Sequence, residues 1–175
     1  MIRFSPISIT ATLRVCFMLG TVLLLCGGCY SFRDVSIPPE VKTIKINYIE
    51  NKAQYINPQL SPQLTERLRQ KINNQTRLTI VQDDDAHYEI SGEVRNYMVT
   101  TSGISQQQAA TNRLVISVHI SFINRLDGDA SFEADVSRNF DFSAQISLQQ
   151  AEAQQAEEIL RNLTDEIFNR IFSNW

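Results

Sequence analysis

Cysteine and histidine, the residues behind many metal and nucleophilic sites, are scarce in this sequence. Of three cysteines in 175 residues, Cys16 and Cys26 lie in an apolar N-terminal stretch, so a chain beginning at Cys29 has one thiol and no internal disulfide. His87 and His119 each lie in a strand-like alternation, with no second histidine at a helical spacing that would build a zinc site. We interpret both histidines as structural or exposed, and we predict no metal site.

Glycine is also scarce, and only three glycines follow Cys29: Gly92, Gly103 and Gly128. They are too scattered for a phosphate-binding loop, and no serine lies in a Gly-x-Ser-x-Gly nucleophile motif. The acidic run 83–85 does not fit an EF-hand, because Tyr88 and Val94 stand where that loop needs glycine and glutamate. The sequence therefore predicts no catalytic residues, no cofactor and no enzymatic activity.

The sequence has no excess of basic residues. Its net charge is −3, and removal of Arg3 and Arg14 with an N-terminal leader would leave 14 of the 16 basic residues against 19 acidic ones, a charge of −5. Nucleic-acid binding needs a basic face that displaces counterions from phosphates. We therefore predict no nucleic-acid partner. After Cys29, no apolar run approaches the roughly 20 residues of a membrane-spanning helix.

The long apolar run at the N terminus is typical of a lipoprotein leader. Two arginines accompany the apolar segment 15–26, which has the length of the hydrophobic region of a signal peptide and is too short for a spanning helix. Gly27 and Gly28 precede Cys29 as in a lipobox, although Cys26 stands where leucine is usual. We predict cleavage before Cys29 and acylation of that cysteine as a membrane anchor. A simple secretory leader with an incidental cysteine is the alternative.

The position of the anchor predicts the organisation and location of the chain. Residues 1–28 form the signal peptide, residues 29–40 a lipidated tether that ends in an extended Pro-Pro pair, and residues 41–175 a single domain. Tyr30, and not aspartate, follows Cys29, which by the common sorting pattern indicates the outer membrane. We expect the domain to face the periplasm.

Hydrophobic periodicity predicts the first elements of this domain. Residues 41–49 alternate as a half-buried strand, with Ile44, Ile46 and Tyr48 on its buried face. Ser61 and Pro62 suit the cap and the first position of a helix. The apolar stripe of this helix recurs every four residues: Leu60, Leu64, Leu68 and Ile72.

The rest of the chain predicts more strands than helices. Strands are expected at 78–81, 87–99, 114–123 and 132–142, and a long helix is expected at 148–175. In the strand at 87–99 the predicted buried face consists of Tyr88, Ile90, Val94 and Met98. Asp127-Gly128 predicts a tight reversal between the last two strands. In the long helix the apolar stripe is Ile159, Leu163, Ile167 and Ile171.

This order of elements predicts an α+β fold, an α/β sandwich. We expect a mixed, mostly antiparallel sheet of four to five strands with two helices packed on one face.

Residues 100–112 are uncharged and polar, and we predict a loop there between two strands, with Arg95 before it and Arg113 after it. One interpretation is a flexible hairpin tip. The other is a projection that inserts into a hydrated protein lumen, where charged groups would be costly to desolvate.

Several short motifs, in this order, resemble the LptE family of lipopolysaccharide-assembly lipoproteins. They are GGC at 27–29, YSF at 30–32, SIPP at 36–39, the helix 57–68, TRLTIV at 76–81, YEISGEV at 88–94 and the terminal amphipathic helix. The resemblance implies an α/β sandwich of two helices on a mixed sheet. It also implies a non-enzymatic outer-membrane lipoprotein that plugs the LptD β-barrel, assists its assembly and helps to deliver lipopolysaccharide to the cell surface.

Family members have been linked to lipopolysaccharide binding through basic residues. Arg95 and Arg113 are our candidates here, because they flank the polar stretch and guanidinium groups pair well with phosphate. An alternative function is an outer-membrane lipoprotein that binds a peptidoglycan synthase or forms part of a secretion pore, since such proteins share a small α/β domain. A hydrolase with an unrecognised site is a third.

Overall fold

A computed structural model describes residues 37–105 and 108–173 of the chain. The predicted signal peptide, Cys29 and most of the predicted tether lie outside the described residues. Among the residues described, neither helix combines the length and apolar character needed to cross a membrane.

Within this part of the chain, six strands form one mixed sheet. The elements in order are β1 (Thr43–Ile46), β2 (Glu50–Asn51), α1 (Leu60–Gln75), β3 (Thr79–Val81), β4 (Tyr88–Ser105), β5 (Gln108–Asn124), a 3-10 turn (Gly128–Ala130), β6 (Phe132–Ser143) and α2 (Leu148–Phe172). The sheet order is β3-β1-β4-β5-β6, and β2 pairs with β4. β1 runs parallel to β3 and β4, whereas β4, β5 and β6 are antiparallel. The predicted α+β fold is confirmed, with a strand count slightly higher than expected.

The first strand is shorter than its alternation predicts. Ile44 and Ile46 are buried, but Tyr48 is 53% exposed and Ile49 is buried in its place. The regular strand ends at Ile46, and three residues later Ile49 N–H donates to Thr65 Oγ1 of α1 instead of to a neighbouring strand. The prediction that Tyr48 lies on the buried face is therefore wrong.

The apolar stripe of α1 is confirmed. All four of its members are buried: Leu60, Leu64, Leu68 and Ile72. The predicted cap is wrong, because the helix begins at Leu60 with Gln59 in the cap position and Ser61 is buried inside the first turn. Asn57 Oδ1 accepts a hydrogen bond from Gln59 N–H at 3.0 Å, so the polar group at this helix start comes from further upstream.

The second helix begins at a capping box. Ser147 Oγ accepts from Gln150 N–H, and the Gln150 side chain accepts from Ser147 N–H. Ile159, Leu163 and Ile167 are buried, as the four-residue spacing predicts. α2 lies beside α1 on the same face of the sheet, and bridges between the two helices include Arg67–Glu157 and Lys71–Asp165.

A β-bulge in β4 changes which side chains are buried. Val94 pairs with Val118 and Asn96 pairs with Ser117, so Arg95 is an extra residue without a partner on β5. The alternation is inverted after it: Tyr97 is 4% exposed, and Met98 is 49% exposed. The predicted buried position of Met98 is therefore wrong, because a single inserted residue turns every later side chain to the opposite face.

The stretch 100–112 is mostly strand, so the prediction of a loop between two strands is wrong. The β4–β5 pairing extends from Thr100 opposite Arg113 to Ser105 opposite Gln108, with register shifts on both sides of Gly103. Ladder hydrogen bonds satisfy the backbone of an antiparallel pair, so such a ribbon forms without an apolar face. The reversal predicted at Asp127-Gly128 does join β5 to β6, through a 3-10 turn.

Candidate interaction surface

The helices cover one face of the sheet, and the opposite face of β4, β5 and β6 has no helix of the described chain on it. We call this surface the outer face. It is defined by five rows, each made of three residues that pair across β4, β5 and β6. The rows are Ser91–Ser121–Glu133, Glu93–His119–Asp135, Asn96–Ser117–Ser137, Met98–Val115–Asn139 and Thr100–Arg113–Asp141. None of these side chains is fully buried. The outer face is polar, with Met98 and Val115 as its only aliphatic members.

A cluster of charges lies at the bulge on the outer face. Glu93 accepts hydrogen bonds from Arg95 Nε at 2.7 Å and pairs with Lys52 Nζ at 2.7 Å. These bonds, first that of Lys52 and then that of Arg95, lower the pKa of Glu93 to about 2. On β5, His119 Nδ1 lies 2.8 Å from Asp135 Oδ1 and its Nε2 lies 3.6 Å from Glu133.

Arg113 belongs to a second charged group further along the same face. Its Nε and one terminal nitrogen donate to the two oxygens of Asp141, at 2.7 and 2.9 Å. This bidentate pair lowers the pKa of Asp141 and raises that of Arg113. Between the two charged groups lie uncharged rows, in which the hydroxyl oxygens of Ser117 and Ser137 are 3.0 Å apart.

The structure does not bring the two predicted ligand-binding arginines together. Arg95 lies beside Val118 and Arg113 lies five residues further along β5, about 17 Å at the usual strand rise. Both guanidinium groups are partly exposed and already paired with carboxylates.

Their carboxylate partners were not identified from the sequence. Glu93, Asp135 and Asp141 occupy polar positions of alternating strands, so the alternation placed them on a solvated face. The pairing with a particular arginine depends on strand register, which the sequence alone does not show. Among the residues described, no cluster of three or more histidine, cysteine or acidic side chains could hold a metal ion.

Beyond the end of β6, the paired ends of β4 and β5 project from the sheet. The last β5–β6 pair is Thr111–Ser143, whereas the β4–β5 pairing continues to Ser105–Gln108. We call residues 102–105 and 108–110 the distal ribbon. It contains no charged residue.

A cleft lies where the first turns of α1 and α2 meet, with a volume of about 340 Å³. Tyr97 donates a hydrogen bond to Glu152 Oε1 at 2.5 Å, and Tyr55 donates to Glu152 Oε2 at 3.3 Å. The two tyrosine rings are stacked with centroids 5.3 Å apart. Burial, and next the hydrogen bond to Glu152, raises the pKa of the Tyr97 phenol well above its ordinary value.

Comparison with known proteins identifies the family. The family model described as LptE, lipopolysaccharide-assembly, matches residues 41–171. The chain belongs to the LptE family. The match covers nearly all of the sheet and both helices, including the outer face, the distal ribbon and the cleft. No curated protein sequence matches this LptE-family chain.

Solved structures of bacterial proteins resemble the LptE-family fold described here. A Xanthomonas campestris protein has a TM-score of 0.50 at 11% identity, covering 78% of this chain and 87% of its own. An uncharacterized lipoprotein B from Nitrosomonas europaea has a TM-score of 0.48 at 14% identity, covering 82% and 87%. The PelC dodecamer from Paraburkholderia phytofirmans has a TM-score of 0.47 at 12% identity, covering 77% and 90%. At these identities the likeness concerns the fold alone.

Proposed function

We propose that this protein is an acylated outer-membrane lipoprotein that occupies the lumen of an LptD-type β-barrel as a plug. In this role it assists assembly of the barrel for lipopolysaccharide transport to the cell surface. Membership of the LptE family supports a part in lipopolysaccharide assembly. The proposed role is non-catalytic, and its partners are the barrel, the membrane through acylated Cys29, and lipopolysaccharide.

The outer face is the observation that carries this proposal. A sheet face that binds a hydrophobic partner is normally apolar. The outer face instead presents mostly serine, asparagine and charged side chains. The lumen of an outer-membrane barrel is polar and hydrated. When a polar face binds such a lumen wall, hydrogen bonds to protein or bridging water replace its hydrogen bonds to bulk water. These new bonds offset most of the cost of desolvation.

The distal ribbon supports the same arrangement. It extends beyond β6 as two strands that pair with each other, so ladder hydrogen bonds form there without a core around them. Because it lacks charged side chains, it can enter a narrow protein interior without the desolvation penalty of an unpaired charge. We propose that this ribbon reaches furthest into the lumen.

Site-specific photocrosslinking in intact cells tests the orientation. A photoreactive residue at Ser137, exposed on the outer face, should capture the barrel. The matched control is Glu158, which is exposed on α2 on the other side of the molecule and should give a much weaker crosslink. Equal capture at the two positions would contradict docking through the outer face.

Other outcomes would favour the alternative function. Recovery of a peptidoglycan synthase at Ser137, or a stable homo-oligomeric ring of this chain, would indicate a cell-wall or secretion role. Depletion of the protein should reduce lipopolysaccharide at the cell surface. Normal surface lipopolysaccharide after depletion would count against the whole proposal.

We further propose the lipid anchor at Cys29. The acylated protein should incorporate labelled palmitate and sediment with outer membranes, because several acyl chains give stable attachment. Cys29→Ser should abolish labelling and release the chain to the periplasm. A mature protein that begins elsewhere with a free amino terminus would contradict this anchor.

Arg95 and Arg113 remain our proposed contacts for the phosphates of lipopolysaccharide. Guanidinium groups bind phosphate in the same bidentate geometry that Arg113 now uses for Asp141. A phosphate that arrived there would replace the carboxylate. Both arginines are partly exposed, so this exchange needs no opening of the core.

A further inference from the structure

The cleft between the helix starts contains the carboxylate of Glu152. Within residues 37–105 and 108–173, ten acidic side chains lie within salt-bridge distance of a lysine, arginine or histidine. Glu152 is not one of them. Its two oxygens instead accept hydrogen bonds from Tyr97 and Tyr55. Each carboxylate oxygen has room for a further donor.

Tyrosine hydroxyls orient this carboxylate without neutralising it. Tyr97 is 4% exposed, so its phenol is anchored in the core, and the 2.5 Å bond to Glu152 Oε1 fixes where the carboxylate points. Tyr55 is stacked on Tyr97 and is less buried. The result is a preorganised negative group beside an aromatic pair.

Beside these three residues the lining has a polar part, formed by the amides of Asn57, Gln59, Gln63 and Gln149, and an apolar part. Ala153, Ala156, Ile159 and Leu160 of α2 line the cleft with Leu60 of α1. A volume of about 340 Å³ is near the lower end of ligand pockets, which run from roughly 300 to 1,000 Å³. Such a space fits one long side chain better than a complete cofactor.

We infer that this cleft binds an arginine side chain of a partner protein. The guanidinium group would donate to Glu152 and lie against the Tyr55–Tyr97 pair, while its methylene stem would contact the alanines of α2. Arginine fits better than lysine, because its planar group makes paired hydrogen bonds to a carboxylate and stacks on aromatic rings. If the proposed function holds, the barrel supplies this arginine, but the site itself requires only the side chain.

Three blocked tripeptides that differ in the central side chain test the chemistry. They carry arginine, citrulline, which has nearly the same shape without the charge, or norleucine, which is apolar. Added to the full chain, the arginine peptide should shift the amide signals of Ala153 and Ala156 saturably, and the other two should bind at least about tenfold more weakly. Equal binding of norleucine would show a simple apolar groove and overturn the inference, as would absence of saturable binding by arginine.

Variants of the cleft identify the groups responsible. Glu152→Gln keeps an oxygen that accepts from Tyr97, yet it should weaken arginine binding about tenfold, whereas Glu158→Gln on the same helix should leave it unchanged. Tyr55→Leu removes the aromatic surface while leaving the Tyr97–Glu152 bond, and it should also weaken binding. If Glu152→Gln fails to fold, the result for Tyr55→Leu decides whether the cleft binds arginine. Unchanged binding in a folded Glu152→Gln protein would overturn the inference.

Photocrosslinking at Ala153, an exposed residue of the cleft lining, extends the test to cells. The crosslinked partner segment should contain an arginine, and its replacement by glutamine should reduce the crosslink. An arginine segment from a protein other than the barrel would support this site and count against the proposed function. A barrel segment without arginine or another basic residue would support the proposed function and count against the arginine site.

Discussion

Val94 and Tyr97 are three residues apart in β4, yet both side chains lie in the core on the same side of the sheet. In a regular strand, residues at an odd separation point to opposite faces. The extra residue at Arg95 reverses the alternation between them, and it also places the Arg95 guanidinium beside Glu93. One bulge therefore connects the packing under the sheet with the charges on the outer face.

Because of the bulge, truncating Tyr97 should cost much more stability than truncating its neighbour Met98. Tyr97→Ala should lower the free energy of unfolding by about 3–5 kcal/mol, because it empties an aromatic core position. Met98→Ala should change it by no more than about 0.5 kcal/mol, because that side chain is half exposed. Urea denaturation of the two variants measures both. A larger loss for Met98→Ala would mean that β4 alternates without a bulge.

Gly92 is a position where the sheet leaves little room for a side chain. A Cβ there would lie 3.0 Å from the backbone carbonyl oxygen of His119 and 3.7 Å from Ile49. Gly92→Ala should therefore destabilise the protein by roughly 1–3 kcal/mol through displacement of β5. Gly128→Ala is the control, since nothing lies within 4 Å of its added Cβ. Thermal melting that ranks the two variants equally would rule out this close approach.

Glu93 predicts a specific acid sensitivity. Its pKa is lowered from an ordinary 4.5 to about 2 in the folded protein, so the unfolded state binds this proton more readily. The stabilisation is present above pH 4.5 and is lost as the pH falls through about 2. Glu93→Gln should reduce the slope of unfolding free energy against pH in this window, and Glu158→Gln should not. Parallel curves for wild type and Glu93→Gln would contradict the role given to Lys52 and Arg95.

The Arg113–Asp141 pair allows a structural role to be separated from phosphate binding. If Arg113 contacts lipopolysaccharide phosphate, Arg113→Ala should weaken binding of the purified glycolipid, whereas Asp141→Asn should strengthen it by removing a competing carboxylate. If the pair only joins β5 to β6, both variants should bind alike and show the same small change in stability. Binding measured at two salt concentrations checks that the difference is electrostatic.

Much of the fold was predictable because its signals are local. The buried stripes of both helices recur every four residues, and the expected strands at 114–123 and 132–142 lie within β5 and β6. The predicted order of elements and the family resemblance are both confirmed. The errors at Tyr48 and Met98 occur where the backbone interrupts the two-residue period of a strand, and a pattern count continues past such a point. The error at Ser61 has a different source, because the helix begins one residue before it, at Leu60.

The sequence alone determined the α+β class, the two amphipathic helices and the scarcity of reactive side chains, because composition and periodicity belong to contiguous residues. Tertiary structure decided the rest. It joined Glu152 to Tyr55 and Tyr97 across long separations in the chain, paired Arg113 with Asp141, and extended the ladder into the distal ribbon. Each of these contacts depends on strand register or on how a helix lies across the sheet, and the packing of distant segments sets both.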